Sequence, residues 1–172
     1  MKVIITGATG LVGTEVVRQA IRDESVESII LLVRNPSSLQ DPKITALHHK
    51  NFSDYSGLET YFSDAGAIIW CLGTSQLQVS KQQYEVITCD YLLRCVQFCE
   101  QLNPGISFVF VSGDGADRTE KSRTLFKRLK GKAENILLQS GLTNVFIARP
   151  DAVNPRHKNP KAPLAYKLVY PL

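Results

Sequence analysis

Long apolar segments are missing from this chain of 172 residues. No run approaches the roughly 20 apolar residues that a transmembrane helix needs, so we expect no membrane span. The first residues, from Met1 to Gly7, enter a strand-like pattern at once, without the longer apolar stretch and cleavage site of a signal peptide. The sequence therefore predicts a cytoplasmic protein.

Cysteine is also scarce. The four cysteines form no C-x-x-C pair, and no histidine lies at zinc-finger spacing from them. We therefore expect reduced, packed thiols and no metal site. The rest of the composition, with 44% hydrophobic and 21% charged residues, is ordinary for a globular chain and excludes disorder, collagen and coiled coil. At about 150 residues per domain, this length predicts one domain.

Charge is unevenly distributed along the chain. Residues 1–117 hold 8 Lys/Arg and 13 Asp/Glu, whereas residues 118–172 hold 12 Lys/Arg and 3 Asp/Glu. Such asymmetry can indicate a nucleic-acid or membrane surface, and it fits a lobe that handles phosphate equally well. The cations from Arg118 to Lys132 form no single helical stripe and match no nucleic-acid-binding motif. We interpret them mainly as a solvated helix face, which disfavours nucleic acid as a partner.

Six short apolar runs alternate with segments of helical period. Continuous runs rich in β-branched residues are typical of strands covered on both faces, and their alternation with helices favours a parallel sheet with right-handed crossovers. We predict a single α/β domain over residues 1–155, a doubly wound parallel β-sheet with helices on both faces. Residues 156–172 are predicted to form a C-terminal tail on the substrate side, and the sequence leaves open whether it is complete at Leu172. The predicted strands are Val3–Thr6, Ser28–Val33, Ile44–His48, Ala67–Leu72, Ser107–Ser112 and Asn144–Ala148.

A glycine-rich loop, TGATGLVG, joins the first predicted strand to the first predicted helix. In this context Gly7 permits a tight turn, Gly10 lets the backbone approach a pyrophosphate, and Gly13 lets the helix pack close to the sheet. The start of the helix offers free N–H groups and a positive dipole end to phosphates. These features predict a Rossmann-type dinucleotide site. The loop residues expected to bind the cofactor are Gly7, Ala8, Thr9, Gly10, Leu11 and Val12.

The end of the second predicted strand has no acidic residue. An NAD site places a carboxylate there for the ribose hydroxyls, whereas an arginine suits a 2′-phosphate. This chain places Arg34 at that point, and Ser37 and Ser38 follow as further hydroxyl donors. NADP(H) is therefore favoured over NAD(H), and the alternative is a solvated arginine at a strand end.

Together these motifs resemble those of the atypical short-chain dehydrogenase/reductases with a single NAD(P)-binding Rossmann domain. Among these proteins, the chain is most similar to the bacterial relatives of the Tat-interacting protein. The resemblance covers about residues 1–155, and its narrower marks are CLGT at Cys71–Thr74 and GAD at Gly115–Asp117. It implies that further cofactor contacts lie at the carboxyl ends of strands. The residues implied are Leu72, Gly73, Thr74, Val111, Lys130 and Pro150.

The same resemblance implies a catalytic serine together with the tyrosine and lysine of a Y-x-x-x-K motif. Ser112 and Lys130 stand at the serine and lysine positions, but Phe126 occupies the tyrosine position. Phenylalanine lacks the proton that a phenol donates during carbonyl reduction. We therefore carry two hypotheses. The first is an NADP(H)-dependent oxidoreductase that passes hydride to or from a quinone, flavin or carbonyl. The second is a non-catalytic NADP(H)-binding sensor or scaffold.

Each catalytic candidate also has a purely structural interpretation. Lys130 could be a surface lysine of a basic helix, and Ser112 could cap the loop after its strand. Asp114 is a candidate replacement acid or base, although an aspartate in a loop is more often a turn residue. Gly141 is expected to cap the last long helix, and the three histidines are interpreted as surface residues. The sequence leaves open the small-molecule substrate and the choice between monomer and homodimer.

Overall fold

The computed structural model describes residues 1–35, 39–151 and 153. The strands are β1 (Lys2–Thr6), β2 (Ser28–Val33), β3 (Ile44–His48), β4 (Ala67–Trp70), β5 (Ser107–Val111) and β6 (Asn144–Ala148). The helices are α1 (Leu11–Arg22), α2 (Glu59–Phe62), α3 (Lys81–Glu85), α4 (Tyr91–Leu102) and α5 (Leu125–Leu138). Across the described residues, no helix is long and apolar enough to cross a membrane.

All six strands form one parallel sheet in the order β3-β2-β1-β4-β5-β6. The central strands β1 and β2 are buried almost throughout, whereas the outer strands β3 and β6 contain only exposed and half-buried residues. The predicted doubly wound parallel sheet is confirmed. Strand order reverses between β1 and β4, and open α/β sheets bind ligands at such a switch point.

Helices on the two faces of the sheet enclose two hydrophobic clusters. Alternation along β1 sends Ile4 into the larger cluster and Ile5 into the smaller one. The larger cluster packs under α4 and α5, with Leu92 and Leu129 among its buried members. The smaller cluster packs under α1 through Val17. These two layers fix the strands, so the carboxyl ends of the strands meet along one edge.

A π-helical turn, Val86–Asp90, joins α3 to α4 without a break. Within it, the Cys89 thiol donates a hydrogen bond of 3.5 Å to the Leu129 carbonyl on α5. Burial raises the pKa of Cys89 to about 12, so the sulfur stays a neutral thiol. The four cysteines are free. Within the described ranges, no group of three or more His, Cys, Asp or Glu could hold a metal ion.

Four local predictions need correction or fall outside the described residues. Gly141 does not cap α5, because the helix ends at Leu138 with Gln139 as its C-cap. His49 is not a surface histidine, because its ring packs 4.8 Å from that of Phe52 and its Nε2 is buried. The predicted tail, residues 156–172, and the predicted hydroxyl donors Ser37 and Ser38 lie outside the described residues.

Candidate cofactor site

The glycine loop lies after β1 at the carboxyl edge of the sheet, where two of its glycines are enforced by close backbone packing. Gly7 has a φ of +66°, and a Cβ there would lie 2.4 Å from the Cys71 carbonyl oxygen. A Cβ at Gly13 would lie 2.1 Å from the Gly7 carbonyl oxygen. Gly10 differs, because a Cβ there would meet only the Gly7 carbonyl oxygen, at 3.2 Å. Packing therefore constrains Gly10 less than Gly7 or Gly13, since a Cβ at Gly10 would require a shift of only a few tenths of an ångström.

The first turn of α1 is open to an anion. Over the described part of the chain, no side chain caps this helix at Gly10, and its first turn holds no acidic residue. The loop is braced by its own bonds, from Gly10 N to Gly7 O at 2.9 Å and from Thr14 Oγ1 to Ala8 O at 3.0 Å. The first N–H groups of a helix have no intrahelical acceptor, and the dipole there favours negative charge. This cradle fits a pyrophosphate.

The loop after β4 lies against the glycine loop. The Leu72 N–H donates to Thr6 Oγ1 at 3.2 Å, which joins the end of β1 to this segment. Gly73 is exposed, and a Cβ added to it would meet no atom within 4 Å. The predicted residues Leu72 and Gly73 therefore border open space beside the phosphate cradle.

A cavity at the ends of β2 and β4 brings Arg34 together with Leu72, Gly73 and Thr74. The side chain of Arg34 is exposed, and its carbonyl oxygen accepts a hydrogen bond of 2.8 Å from His48 Nε2. Sequence reasoning did not find the remaining wall. A usable signal existed for Phe52, because it follows shortly after the third predicted strand. The additional lining residues are Phe52, Val79, Ile87 and Tyr91.

A second group of predicted residues meets at the ends of β5 and β6. Ser112 is buried, and its N–H donates to the Ala148 carbonyl at 2.8 Å. The next part of the loop is tied down by a bond of 3.0 Å from the Asp114 N–H to the Pro150 carbonyl. The Asp114 side chain is exposed, so the structure supplies no buried setting for an acid or base there.

Lys130 reaches this group from α5. Its Nζ donates to the Val111 carbonyl at 3.0 Å and lies 4.9 Å from the centroid of the Phe110 ring. The side chain is half-buried, so Lys130 is not the surface lysine of the structural interpretation. The lysine ammonium and Ser112 are therefore brought to the end of the same strand.

Burial lowers the pKa of Lys130 to about 8. Cys89, Glu134 and Cys71 oppose this shift through their charge interactions. The net direction shows that desolvation dominates at this position. Lys130 therefore exchanges its proton closer to neutral pH than an ordinary lysine.

The tyrosine position is filled by an aromatic ring without a polar group. The Phe126 ring lies over Gly113, and its Cζ is 2.5 Å from the place where a Cβ of Gly113 would stand. The Phe126 N–H donates to Gln76 Oε1 at 3.2 Å, so the loop after β4 meets the start of α5. The ring therefore lies beside the Ser112 region, as the resemblance implies for the tyrosine.

A buried carboxylate, which sequence reasoning missed, organises the same region. The Glu134 side chain is 0% exposed. Ser112 Oγ donates to its Oε1 at 2.6 Å, Arg149 Nε donates to the same oxygen at 2.8 Å, and Arg118 Nε donates to Oε2 at 2.6 Å. Burial alone would raise the pKa of Glu134, but the bonds from Arg149, Ser112 and Arg118 lower it below its usual value. Glu134 therefore stays ionised.

The basic segment from Arg118 to Lys132 is only partly a solvated face. Four of its seven cations bond to acceptors of the protein itself, because the loop and α5 bring these acceptors within reach. Much of the local positive charge is therefore engaged by the fold. The four pairs are Arg118 with Glu134, Arg128 with the Ser122 carbonyl, Lys130 with the Val111 carbonyl, and Lys132 with Glu85.

The chain belongs to the family of NAD(P)H-binding proteins, whose model matches residues 7–165. Leucinostatins biosynthesis cluster protein T of Purpureocillium lilacinum is 31% identical over 143 residues, which cover 81% of this chain and 52% of that protein. Protein fmp52-2, mitochondrial, of Neosartorya fischeri is 22% identical over 167 residues, with 96% and 71% covered. The chain thus spans about half the length of the first of these relatives.

Solved structures share the fold. UDP-glucuronic acid 4-epimerase from Bacillus cereus, in complex with NAD, has a TM-score of 0.70 at 13% identity, with 90% of this chain and 57% of that chain covered. A putative NAD-dependent epimerase/dehydratase from Bacillus halodurans has a TM-score of 0.69 at 19% identity, with 93% and 74% covered. At these identities the similarity concerns the fold. With the NAD(P)H-binding family match, it confirms the predicted Rossmann-type fold.

Proposed function

We propose that this chain binds NADP(H) and acts as an oxidoreductase of the short-chain dehydrogenase/reductase type. It would pass hydride between the nicotinamide and a small acceptor such as a quinone, flavin or carbonyl. The observation that carries the proposal is the open cradle at the start of α1, with Arg34 on the neighbouring cavity. When bound, the cofactor supplies or takes up the hydride.

The preference for NADP(H) depends on charge at the end of β2. Arg34 stands there and Asn35 follows, so no carboxylate competes with a 2′-phosphate at these two positions. A guanidinium can donate two parallel, charge-assisted hydrogen bonds to a phosphate. It binds a neutral 2′-hydroxyl more weakly. The Bacillus cereus epimerase structure contains NAD, so the proposed preference for NADP(H) rests on this chain's own Arg34.

The nicotinamide half of the site would be formed by the ends of β5 and β6. Val111, Ser112 and Pro150 lie there, and Lys130 enters from α5. We assign Lys130 to the nicotinamide ribose or to the reacting acceptor, and Pro150 to one side of the ring. Ser112 lies next to the acceptor in this arrangement.

The second candidate is a non-catalytic NADP(H)-binding sensor or scaffold. One observation favours it, the Phe126 ring over Gly113 at the position where the resemblance implies a tyrosine. A site that only binds the cofactor needs no proton donor. The predicted cytoplasmic location and the monomeric or homodimeric state remain predictions under either function.

Titration calorimetry with NADPH, followed by an absorbance assay for NADPH oxidation, tests the proposal. The assay panel should contain quinones, free flavins, aldehydes and ketones. Binding together with turnover supports the oxidoreductase. Binding without turnover across the panel supports the sensor. Failure to bind NADPH or NADH overturns both.

A further inference from the structure

We propose that the Lys130 ammonium is the proton donor of this site and that Glu134 is a positioning residue that holds the Ser112 proton away from the acceptor. The inference rests on the proposed oxidoreductase function and assigns the part of its chemistry that Phe126 cannot perform. It is carried by the placement of three side chains at the end of β5.

Ser112 has no free proton to give to an acceptor molecule. A hydroxyl has a single proton, and Ser112 gives it to Glu134 Oε1 at 2.6 Å. Arg118 and Arg149 bond the same carboxylate, so Glu134 remains an ionised acceptor and keeps that proton engaged. Ser112 therefore offers only its lone pairs, which can accept from an N–H or O–H of a ligand but cannot donate a proton to a carbonyl oxygen.

The titratable groups around Lys130 are poor proton donors. The titratable side chains that influence it are Cys71 after β4, Cys89 in the π-helical turn and Glu134 on α5. Burial raises the pKa of both thiols to about 12, which makes them weak acids. Glu134 is held ionised and has no proton to give. Among these groups, the lysine is the one that carries a transferable proton at neutral pH.

The Lys130 ammonium has more than one N–H bond to donate. An ammonium has three N–H bonds, and Lys130 directs one of them to the Val111 carbonyl at 3.0 Å. Among the described residues, Nζ donates to no second acceptor, and we assign the other two N–H bonds to a ligand at the end of β5. Phe126 and Lys130 are four residues apart, so they share one face of α5. The lysine is thus placed one helical turn from the position that a phenol would occupy.

With a carbonyl acceptor, the proposed step transfers a hydride from NADPH and a proton from Lys130. Bound NADPH would supply the hydride to the carbonyl carbon and become NADP⁺, while the carbonyl π electrons move onto oxygen. One Nζ–H bond of Lys130 would break, and its proton would form the new O–H bond. The neutral amine would then take up a proton from the solvent, which restores the ammonium. A lysine whose pKa burial has lowered to about 8 suits this exchange near neutral pH.

The first test measures the lysine directly. Reductive methylation with ¹³C-formaldehyde gives each lysine an NMR signal, and Lys130→Arg identifies the signal of Lys130 by its loss. We expect this signal to titrate at least one pH unit below that of Lys127, an exposed lysine on the same helix. Titration of both signals together above pH 10 overturns the inference, whether or not a substrate is known.

The second test separates proton donation from charge. Arginine keeps the positive charge and the N–H groups but does not release a proton at these pH values. We expect Lys130→Arg to lower kcat about 100-fold or more, in the range of general acid catalysis, and to remove the loss of activity above about pH 8. The loss in kcat should exceed any loss in calorimetric affinity for NADPH, because arginine keeps N–H donors for the ribose, and Lys127→Arg should match the wild type.

The outcomes distinguish the two proposals. Absence of NADPH binding by the wild-type chain overturns the proposed function itself. Turnover that Lys130→Arg retains with an unchanged pH profile overturns the role of Lys130 and leaves the proposed function standing. Binding without any turnover also overturns the role of Lys130, because no acceptor then receives a proton.

Discussion

Ser112 donates its hydroxyl proton to Glu134, with 2.6 Å between Oγ and Oε1. This bond joins the end of β5 to α5, and the Arg149 bonds to the same carboxylate add the end of β6. The carboxylate therefore fixes the three elements around the nicotinamide half of the proposed site. Glu134 therefore affects both the stability of the fold and the reactions in which Ser112 can take part.

Removing the charge of Glu134 should destabilise the protein. Glu134→Gln leaves two arginines without their shared buried partner, and breaking a buried pair is costly. Because both arginines are partly exposed, we expect a loss of about 2–3 kcal/mol of unfolding free energy, at the low end for such pairs. Urea denaturation followed by circular dichroism at pH 7 measures this difference.

Glu85→Gln is the matched control for that substitution. Glu85 pairs with Lys132 at 2.6 Å, but both side chains are more than one-third exposed. An exposed pair contributes about 0–1 kcal/mol. Because the pKa of Glu134 is lowered in the folded state, its ion pairs stabilise the protein fully above about pH 4.5. This stabilisation is lost as the pH falls through the folded-state pKa of Glu134. Equal losses for the two variants would contradict the assigned role of Glu134.

Lys130 should give the unfolding free energy a distinctive pH dependence. Its folded pKa of about 8 lies below the ordinary value of 10.5, so the unfolded state binds more protons between these two pH values. Stability should therefore rise with pH across that window, by up to about 3 kcal/mol from this group. Lys130→Met should lack the increment. Subtracting the two pH profiles removes Cys71 and Cys89, whose raised pKa values act in the opposite direction.

Alanine substitutions at two glycines of the loop should affect different properties, stability in one case and NADPH affinity in the other. Gly13→Ala places a Cβ 2.1 Å from backbone, so we expect a loss of about 1–3 kcal/mol in stability. Gly10→Ala meets only one atom, at 3.2 Å, and should fold nearly as well as the wild type. It should nevertheless weaken NADPH binding about tenfold or more, because the added methyl group lies where the pyrophosphate approaches. Thermal denaturation and calorimetry on both variants test the contrast, and loss of stability without loss of affinity in Gly10→Ala would contradict it.

The sheet could be predicted from the sequence because its evidence is local. Continuous apolar runs such as Ser28–Val33 need no knowledge of distant residues to indicate a buried strand. The glycine loop is equally local, since its spacing carries its own geometry. The ends of β4 and β5 shifted by one or two residues, at the points where the chain leaves the sheet for the site.

The buried network could not be predicted in the same way, because its members are distant in sequence. Ser112, Glu134 and Arg149 meet only after β5, α5 and β6 have packed. A weak signal was present, since Glu134 follows Lys130 by four residues and is the one acidic residue within α5. Pattern alone could not show that Arg118 would be drawn from the basic segment to that carboxylate.

The central claim is that this chain selects NADP(H) through Arg34. Titration calorimetry with NADPH and NADH on the wild type, Arg34→Asp and Arg94→Asp tests it most directly. Arg94→Asp makes the same charge change at an exposed position of α4. We predict that the wild type and Arg94→Asp bind NADPH at least about tenfold more tightly than NADH, a difference of about 1.4 kcal/mol, and that Arg34→Asp reverses the order. Equal affinities in the wild type, or a preference that survives Arg34→Asp, would contradict the account.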